Sequence, residues 1–489
     1  MEHFDVIIVG AGLSGIGAAC HLADRCPGKS YTVLEGRDAI GGTWDLFRYP
    51  GIRSDSDMHT LSYRFKPWKE AKAIADGPSI RRYVNDAADE NGVREHIRFR
   101  HQVRSAAWST EQACWTLTVD MGNDGQAVQL SCRFLSMCGG YYSYEKGYTP
   151  EFEGIEAFRG QVIHPQFWPE TVECNEKRVV VIGSGATAMT LVPAMAERGA
   201  SVTMLQRSPT YVVAMPSRDR LANLFRKYLP EKLAYALTRW KNVTLSSYFY
   251  NRSRKRPEQV KRMLINLIRK QLPGYDVDTH FTPRYNPWDQ RLCLVPDGDL
   301  FAAIRAGKAA VVTDHIDHFT EKGIKLKSGE VLEADMVVTA TGLQLSVLSG
   351  IEFTVDGERV NLSETFTYKG MMFSSVPNLV QTFGYINASW TLRADLTSEY
   401  VCRLLNRMDN LGMRQVTARL REEDRDMKPL DFIESFSPGY MRRMMSELPK
   451  QGDRMPWMNP QNYASDKKMI RHAPLEDGVL TFENPEGSR

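Results

Sequence analysis

Apolar and polar positions along the chain fall into one plan that occurs twice. FDVIIVGAGLSGIGAACHLA opens with a short β-branched run, Val6 to Val9, followed by a glycine turn and a helix of small residues, and YTVLE then supplies a second short strand. KRVVVIGSGATAMTLVPAMAERGASVTMLQRSP repeats that order of strand, glycine turn, helix and strand. Between the two copies, HIRFRHQV and CWTLTV alternate as half-buried strands do, within a region of mixed strands and turns over 88–144. LSCRFLSMCGGYYSY predicts a strand ending at a Gly-Gly exit from the first unit. LANLFRKYLPEKLAYALTRW and VKRMLINLIRKQL carry apolar residues at helical spacing. DMVVTATGL, Asp335 to Leu343, reads as a buried strand on the way back to the first unit. The uncharged run Val179 to Ala196 is long enough to suggest a membrane span, but Gly183, Ser184, Gly185 and Thr187 divide it into strand, turn and helix.

These elements predict an α/β fold: two Rossmann-like dinucleotide-binding domains with a helical insertion. A length of 489 residues exceeds one typical core and suits two or three domains. Hydrophobic and charged fractions of 42% and 25% are those of a globular chain. A formal net charge of +3 gives no argument for nucleic acid. Eight cysteines lie scattered with no CxxC pair, which argues against a zinc site and a dithiol flavoenzyme and suggests a reducing cytoplasm. MEHFDVIIVG runs straight into a strand, with no basic leader or cleavage site in view.

The glycine loops carry the first chemistry. Gly10, Gly12 and Gly15 stand in GxGxxG spacing: a tight turn, a close approach to a pyrophosphate, and close packing of helix on strand. Glu35 ends the next strand about 20 residues later, where a carboxylate accepts hydrogen bonds from a ribose and repels a 2′-phosphate. That unit suits FAD or NAD. Gly183, Gly185 and Ala188 form a second loop, GxGxxA, whose following strand ends in Gln206 and Arg207. An arginine there pairs with a 2′-phosphate and selects NADPH, with Ser208 adding a hydroxyl; a plain surface arginine is the competing reading. Two nucleotides of opposite preference imply a flavoprotein oxidoreductase, with FAD on the first unit and NADPH on the second. The expected division is 1–146 and 345–489 for the FAD domain, 147–215 and 288–344 for the NADPH domain, and 216–287 for the insertion.

FRGQVIHPQFWP lies between the loops. On its residues alone it is a loop joining two domains, since Pro165 and Pro169 forbid a helix interior. Its spacing of Phe158, Gly160, His164, Trp168 and Pro169 resembles the fingerprint of type I Baeyer–Villiger monooxygenases. GGTWDLFRYPGIRSDSD resembles a second signature of that family. Its aromatics Trp44, Phe47 and Tyr49 suit packing on a flavin or a core. With GSGATA, LQRSPTY and YNPWDQRLCLVP, the likeness spans nearly the whole chain and is nearest the ethionamide monooxygenase-like group.

What the resemblance implies is specific. FAD would be held by Gly10, Gly12, Ser14, Gly15, Glu35, Gly42, Thr43, Trp44, Asp55 and the backbone of Val103. NADPH would be held by Gly183, Ser184, Gly185, Ala186, Thr187, Ala188, Arg207 and Ser208. Arg291 would be catalytic, stabilising a flavin peroxide and its adduct with a ketone, and Asp55 would orient it. Bare residues make Arg291 a salt-bridged structural arginine. The family often carries a lysine before this arginine; here Gln290 stands there, which leaves more of the NADPH selectivity to Arg207. His164 would act at a domain junction and not as a base. The expected reaction inserts one atom of dioxygen beside a ketone carbonyl to give an ester or lactone, with sulfides as further substrates. A flavin-containing monooxygenase acting on nitrogen or sulfur is the alternative, opposed by Trp168-Pro169, and a flavin redox sensor is the remote one.

Three stretches stay open or silent. The insertion is strongly basic, Lys255, Arg256, Lys261 and Arg262 included, and reads either as a solvated face or as a surface resting on anionic membrane. Phe383, Tyr385, Asn387 and Trp390 read as core packing before substrate contact. The tail MPWMNPQNYASDKKMIR offers no chemistry.

Overall fold

Val6, Ile7, Ile8 and Val9 are all buried, because the first strand runs through the middle of a sheet covered on both faces. The computed structural model describes residues 1–122, 125–434 and 439–485. In it β1 (Glu2–Val9), α1 (Leu13–Arg25) and β2 (Tyr31–Leu34) form the first strand, helix, strand unit. β3 (Ile97–Arg98) continues the sheet beyond β2. β4 (His101–Ser109), β5 (Cys114–Met121) and β6 (Gln126–Met137) form an antiparallel meander, and β6 returns parallel beside β1. CWTLTV lies within β5, whereas HIRFRHQV is not one strand: a turn at Phe99-Arg100 divides it into β3 and the start of β4. The inner faces of β4 and β5, Val103, Ala106, Trp108, Trp115, Leu117 and Val119, build one core layer.

After Gly139-Gly140 the chain crosses as β7 (Tyr142–Gly147). β8 (Gln161–Ile163) is the edge of a second, all-parallel sheet. This corrects the reading of FRGQVIHPQFWP as a loop: its centre is a strand bonded to the buried DMVV run, and Pro165–Phe167 is a single 3-10 turn. β9 (Arg178–Ile182), α2 (Ala186–Glu197) and β10 (Ser201–Gln206) repeat the dinucleotide unit. β11 (Val212–Met215) leads into α3 (Arg220–Tyr228), α4 (Glu231–Lys255) and α5 (Pro257–Gln271). β12 (Cys293–Pro296) then pairs with β11, so the basic helices leave and re-enter through one two-stranded ladder.

β13 (Ala309–Thr313) joins the second sheet beyond β10. A small antiparallel meander follows, β14 (Ile316–Thr320), β15 (Gly323–Leu326) and β16 (Val331–Glu333). β17 (Met336–Thr339) is fully buried between β9 and β8. β18 (Leu343–Leu345) then runs antiparallel to β7. The outgoing and returning crossings are therefore bonded side by side. β19 (Glu352–Val355) and Leu379–Gln381 rejoin the first sheet, on β4 and β6. Among the described residues no helix is long and apolar enough to cross a membrane.

Candidate functional site

The first glycine loop is tightly constrained. Gly10 has φ +99°, and a Cβ there would stand 2.9 Å from the Cys138 carbonyl oxygen. A Cβ on Gly15 would overlap the Gly10 carbonyl, so α1 is seated against its own loop. A Cβ on Gly12 would meet only Gly42, at 3.5 Å, which leaves its outer side to a ligand. Glu35 is buried beneath: the Ala11 N–H donates to its Oε2 at 2.7 Å and the Arg37 N–H to its Oε1 at 2.9 Å. Burial raises its pKa, and the two N–H donors oppose that rise.

The glycine pair in GGTWD folds onto this loop, with the Gly41 N–H donating to the Ala11 carbonyl at 3.1 Å. Thr43 Oγ1 lies 2.6 Å from the Tyr142 hydroxyl, Ser14 Oγ accepts from Trp390 Nε1 at 2.7 Å, and Trp44 packs half-buried on the first core. Val103 is buried in β4, where only its backbone remains for a ligand.

The second loop is more open. Gly183, φ +135°, turns against Ala340, and Ala188 is buried in the first turn of α2. A Cβ on Gly185 would meet nothing within 4 Å. Ser184 Oγ donates to the Ser208 carbonyl at 3.2 Å, and Arg207 and Ser208 are exposed.

A cavity between the two sheets brings the loops together. Its walls include Gly12, Ser14, Gly42, Thr43, Trp44 and Asp55 from the first unit and Ala186, Thr187 and Arg291 from the second. Asp55 Oδ2 pairs with Arg291 Nη2 at 2.6 Å, both side chains a little over one third exposed. Tyr141 and Trp390 stack with ring centres 5.3 Å apart above the cavity, and Phe383 and Tyr385 also line it. Burial pushes the Tyr49 hydroxyl, bonded to Thr187, up to about 12, and the Cys293 thiol near Arg291 also up to about 12. These groups are neutral at ordinary pH, and the charged side chains on the cavity wall are the Asp55–Arg291 pair and Arg53, which pairs with Asp299. Glu35, Val103 and Arg207 do not line it.

The fingerprint residues lie at the crossing and away from the cavity. Phe158 packs against Phe319. A Cβ on Gly160 would lie 2.6 Å from the Asp335 carbonyl and overlap the Phe158 ring. His164 fits under Gly147 of β7, where any Cβ would collide with the imidazole. Its Nδ1 accepts from the Gln166 N–H at 3.2 Å, and burial lowers its pKa. Gln166 Nε2 donates to Ser143 O at 2.8 Å, tying the turn to the crossing strand. Trp168 is half-buried against the second core, and Pro169 is exposed.

Two features escape sequence reasoning. Asp45 is 1% exposed and faces Arg37 at 2.7 Å, Arg48 at 3.0 Å and Arg81 at 3.1 Å, bracing the GGTW turn from behind. A carboxylate directly after Trp44 was the only signal. The tail, read as chemically silent, holds the cavity wall: Asp466 accepts from the Tyr385 hydroxyl at 2.7 Å and pairs with the buried Arg393 at 2.7 Å. Gln461 Oε1 accepts from the Ile386 N–H at 3.1 Å, and its carbonyl accepts from Asn387 at 3.0 Å. Phe383, Tyr385 and Trp390 therefore pack and line the cavity at once, beyond the packing role expected of them.

Known proteins agree with this arrangement. The NAD(P)-binding Rossmann-like domain family matches residues 8–76. The chain is 55% identical over 483 residues to the FAD-containing monooxygenase EthA of Mycolicibacterium smegmatis, covering 98% of this chain and 97% of that one. It is 48% identical to the probable FAD-binding monooxygenase AlmA of Acinetobacter baylyi, with 99% and 96% covered. An oxidized steroid monooxygenase bound to NADP superposes with a TM-score of 0.78 at 22% identity, over 99% of this chain and 100% of that one. OTEMO in complex with FAD and NADP gives 0.77 at 20% identity, over 98% and 99%. At such identities the structures establish the fold alone, which this chain shares with the steroid monooxygenase and OTEMO. The sequence relatives, matched from end to end, establish more, and the chain belongs to the family of FAD-containing monooxygenases that includes EthA.

Proposed function

We propose that this monooxygenase is an NADPH-dependent Baeyer–Villiger enzyme that inserts one oxygen atom of dioxygen beside a ketone carbonyl to give an ester or lactone, with sulfides as further substrates. The observation that carries the reading is the 2.6 Å pair of Asp55 and Arg291 inside a cavity walled by both dinucleotide units. The residues present fit FAD: an open approach at Gly12, a helix N-terminus, and a buried carboxylate at Glu35 for a ribose. When bound and reduced by NADPH, FAD supplies the activation of dioxygen.

The protein's own work is electrostatic. Arg291 meets the negative charge that builds on oxygen as the carbonyl is attacked, while Arg53, the other cation on the cavity wall, is held by Asp299. Asp55 fixes the direction of the guanidinium and balances its charge when no anion is present. Tyr141, Trp390 and Phe383 cover the cavity with apolar surface and limit water. Arg207, exposed at the end of β10, selects the 2′-phosphate of NADPH. Competition between an aliphatic 2-alkanone and a thioether tests the reading. Ester as a main product supports it; sulfoxide alone, with the ketone inert, points to a heteroatom oxygenase.

We also place the enzyme in the cytoplasm, resting on anionic membrane through the helical insertion. Residues 216–287 hold sixteen Lys and Arg against five Asp and Glu, a net +11, while the remaining residues hold 46 against 54, a net −8. Of the 18 exposed large apolar side chains among the described residues, 11 lie between Met215 and Leu267. Apolar side chains interleaved with cations suit an interfacial helix. Reversing Lys255, Arg256, Lys261 and Arg262 should release the enzyme from anionic vesicles; unchanged cosedimentation would remove the idea.

A further inference from the structure

A second hollow, of about 970 Å³, lies between α4 and the flavin-side residues that face it. Its α4 wall presents Tyr235, Ala236, Trp240 and Val243; Phe65 and Tyr463 stand opposite. None of these residues lines the junction cavity. Volume and apolar lining are those of a ligand site.

The charges around it are one-sided. Arg64, Lys232, Arg239, Lys467 and Arg471 face a single acid, Glu231, which Lys69 holds at 2.8 Å. Three of the cations are structural. Arg64 pairs with the buried Glu399 at 3.5 Å. Arg471 grips the buried Glu399, with one contact at 2.9 Å, and Arg239 donates to the carbonyls of His59 and Ser62, each at 3.1 Å. Lys232 and Lys467 are different: both are exposed at the rim, and among the described residues neither is paired with a carboxylate. An apolar trough needs hydrocarbon to fill it, and unpaired lysines at its rim favour an anion. A neutral alkyl ketone would use the first and leave the second idle, and a nucleotide the reverse. The trough also adjoins the outer stripe of α4, where Leu233, Leu237 and Trp240 are exposed at helical spacing.

We propose that this groove is a binding site for a single-chain anionic amphiphile of the fatty-carboxylate kind, its chain along Phe65, Tyr235 and Trp240 and its head between Lys232 and Lys467. The site shares α4 with the proposed membrane face but does not depend on it or on the oxygenation chemistry. An occupant would lie against an element that reaches the junction. Asn242 donates to Asp57 at 2.8 Å, Arg239 grips the turn Met58–Leu61, and Leu61 lines the junction cavity.

The test is calorimetric titration of the holoenzyme, without NADPH or substrate, with decanoate below its micelle concentration. Decanol and decyltrimethylammonium serve as neutral and cationic controls. Decanoate should bind near one per chain and at least tenfold tighter than either control. Lys232→Glu with Lys467→Glu should weaken decanoate at least tenfold and leave decanol unchanged. Ala236→Trp should abolish decanoate binding with flavin content and melting temperature intact. Equal affinity for decanoate and decanol, or decanoate binding unaffected by the double reversal, would overturn the proposal. So would failure of decanoate to bind a holoenzyme that still sediments with anionic vesicles, a result that leaves the membrane reading standing. Because no turnover is measured, a failed monooxygenase reading cannot produce any of these outcomes.

Discussion

The two glycine loops share one backbone plan and differ in how far the protein closes around them. At the first, Gly15 has no room for a Cβ, Glu35 is 5% exposed beneath the loop, and Asp45 with three arginines braces the turn laid over it. At the second, the third position already carries a methyl group in Ala188, the middle glycine faces open space, and Arg207 lies on the surface. A ligand in the first loop is enclosed by side chains from three parts of the chain, Trp390 among them. A ligand in the second meets mostly backbone and one exposed cation. That contrast suits a flavin that stays and a nicotinamide nucleotide that exchanges.

Substitutions can break the contrast or sharpen it. The largest effect is expected from Gly15→Ala, whose methyl group overlaps the Gly10 carbonyl and forces α1 off its loop. The purified protein should lose more than nine tenths of its flavin absorbance. Ala188→Gly at the matching place should keep its flavin and cost about 1 kcal/mol of helix stability. Full flavin in Gly15→Ala would mean that close packing is not what holds the first site together.

Next is Asp45→Ala, which strands Arg37, Arg48 and Arg81 around a buried void. Because the arginines left behind are 28%, 45% and 42% exposed, the loss costs about 1–2 kcal/mol, read as a lowered denaturation midpoint with reduced flavin retention. No change would show the arginines to be adequately solvated without it.

Arg207→Ala should raise KM for NADPH by about 10- to 100-fold, the worth of a charge-assisted phosphate contact, and leave NADH kinetics and kcat alone. Equal losses with both nucleotides would assign Arg207 to the fold.

The smallest effect concerns His164. Burial holds its imidazole below the ordinary 6.5, so as pH falls through that value the unfolded chain takes up a proton that the fold refuses. Stability contributed by this group is full above about pH 7 and declines as pH drops toward the lowered folded-state value. His164→Asn should flatten part of the decline in urea midpoint between pH 7.5 and 5.5. His3, His59 and His280, also lowered by burial, contribute to the rest.

What could be read from the chain follows the range of the interactions. Gly10, Gly12, Gly15 and Glu35 act within one strand, helix, strand unit, so their spacing is their geometry. The fingerprint was legible as spacing but not as structure: Phe158 and Gly160 matter because Asp335 and Phe319 arrive from far along the chain. Gln161–Ile163 becomes a strand only because β17 lies beside it. Resemblance named Asp55 and Arg291 together, and no local pattern joins them. The Asp45 cage draws on arginines at three unrelated spacings, and Tyr385 finds Asp466 across 81 residues. The amphiphile groove exists only where α4 docks on the first unit, so no stretch of sequence displays it.

The central claim, that Arg291 stabilises oxyanion charge in a ketone-oxygenating cavity, is tested most directly by measuring NADPH consumed and ester formed from a 2-alkanone in air, for the wild type and Arg291→Ala. The account predicts about one ester per NADPH in the wild type. In the variant, ester formation should fall at least 100- to 1,000-fold while flavin content and anaerobic reduction by NADPH persist. Undiminished ester in Arg291→Ala, or a wild type whose NADPH consumption yields no oxygenated product from any ketone, would contradict it.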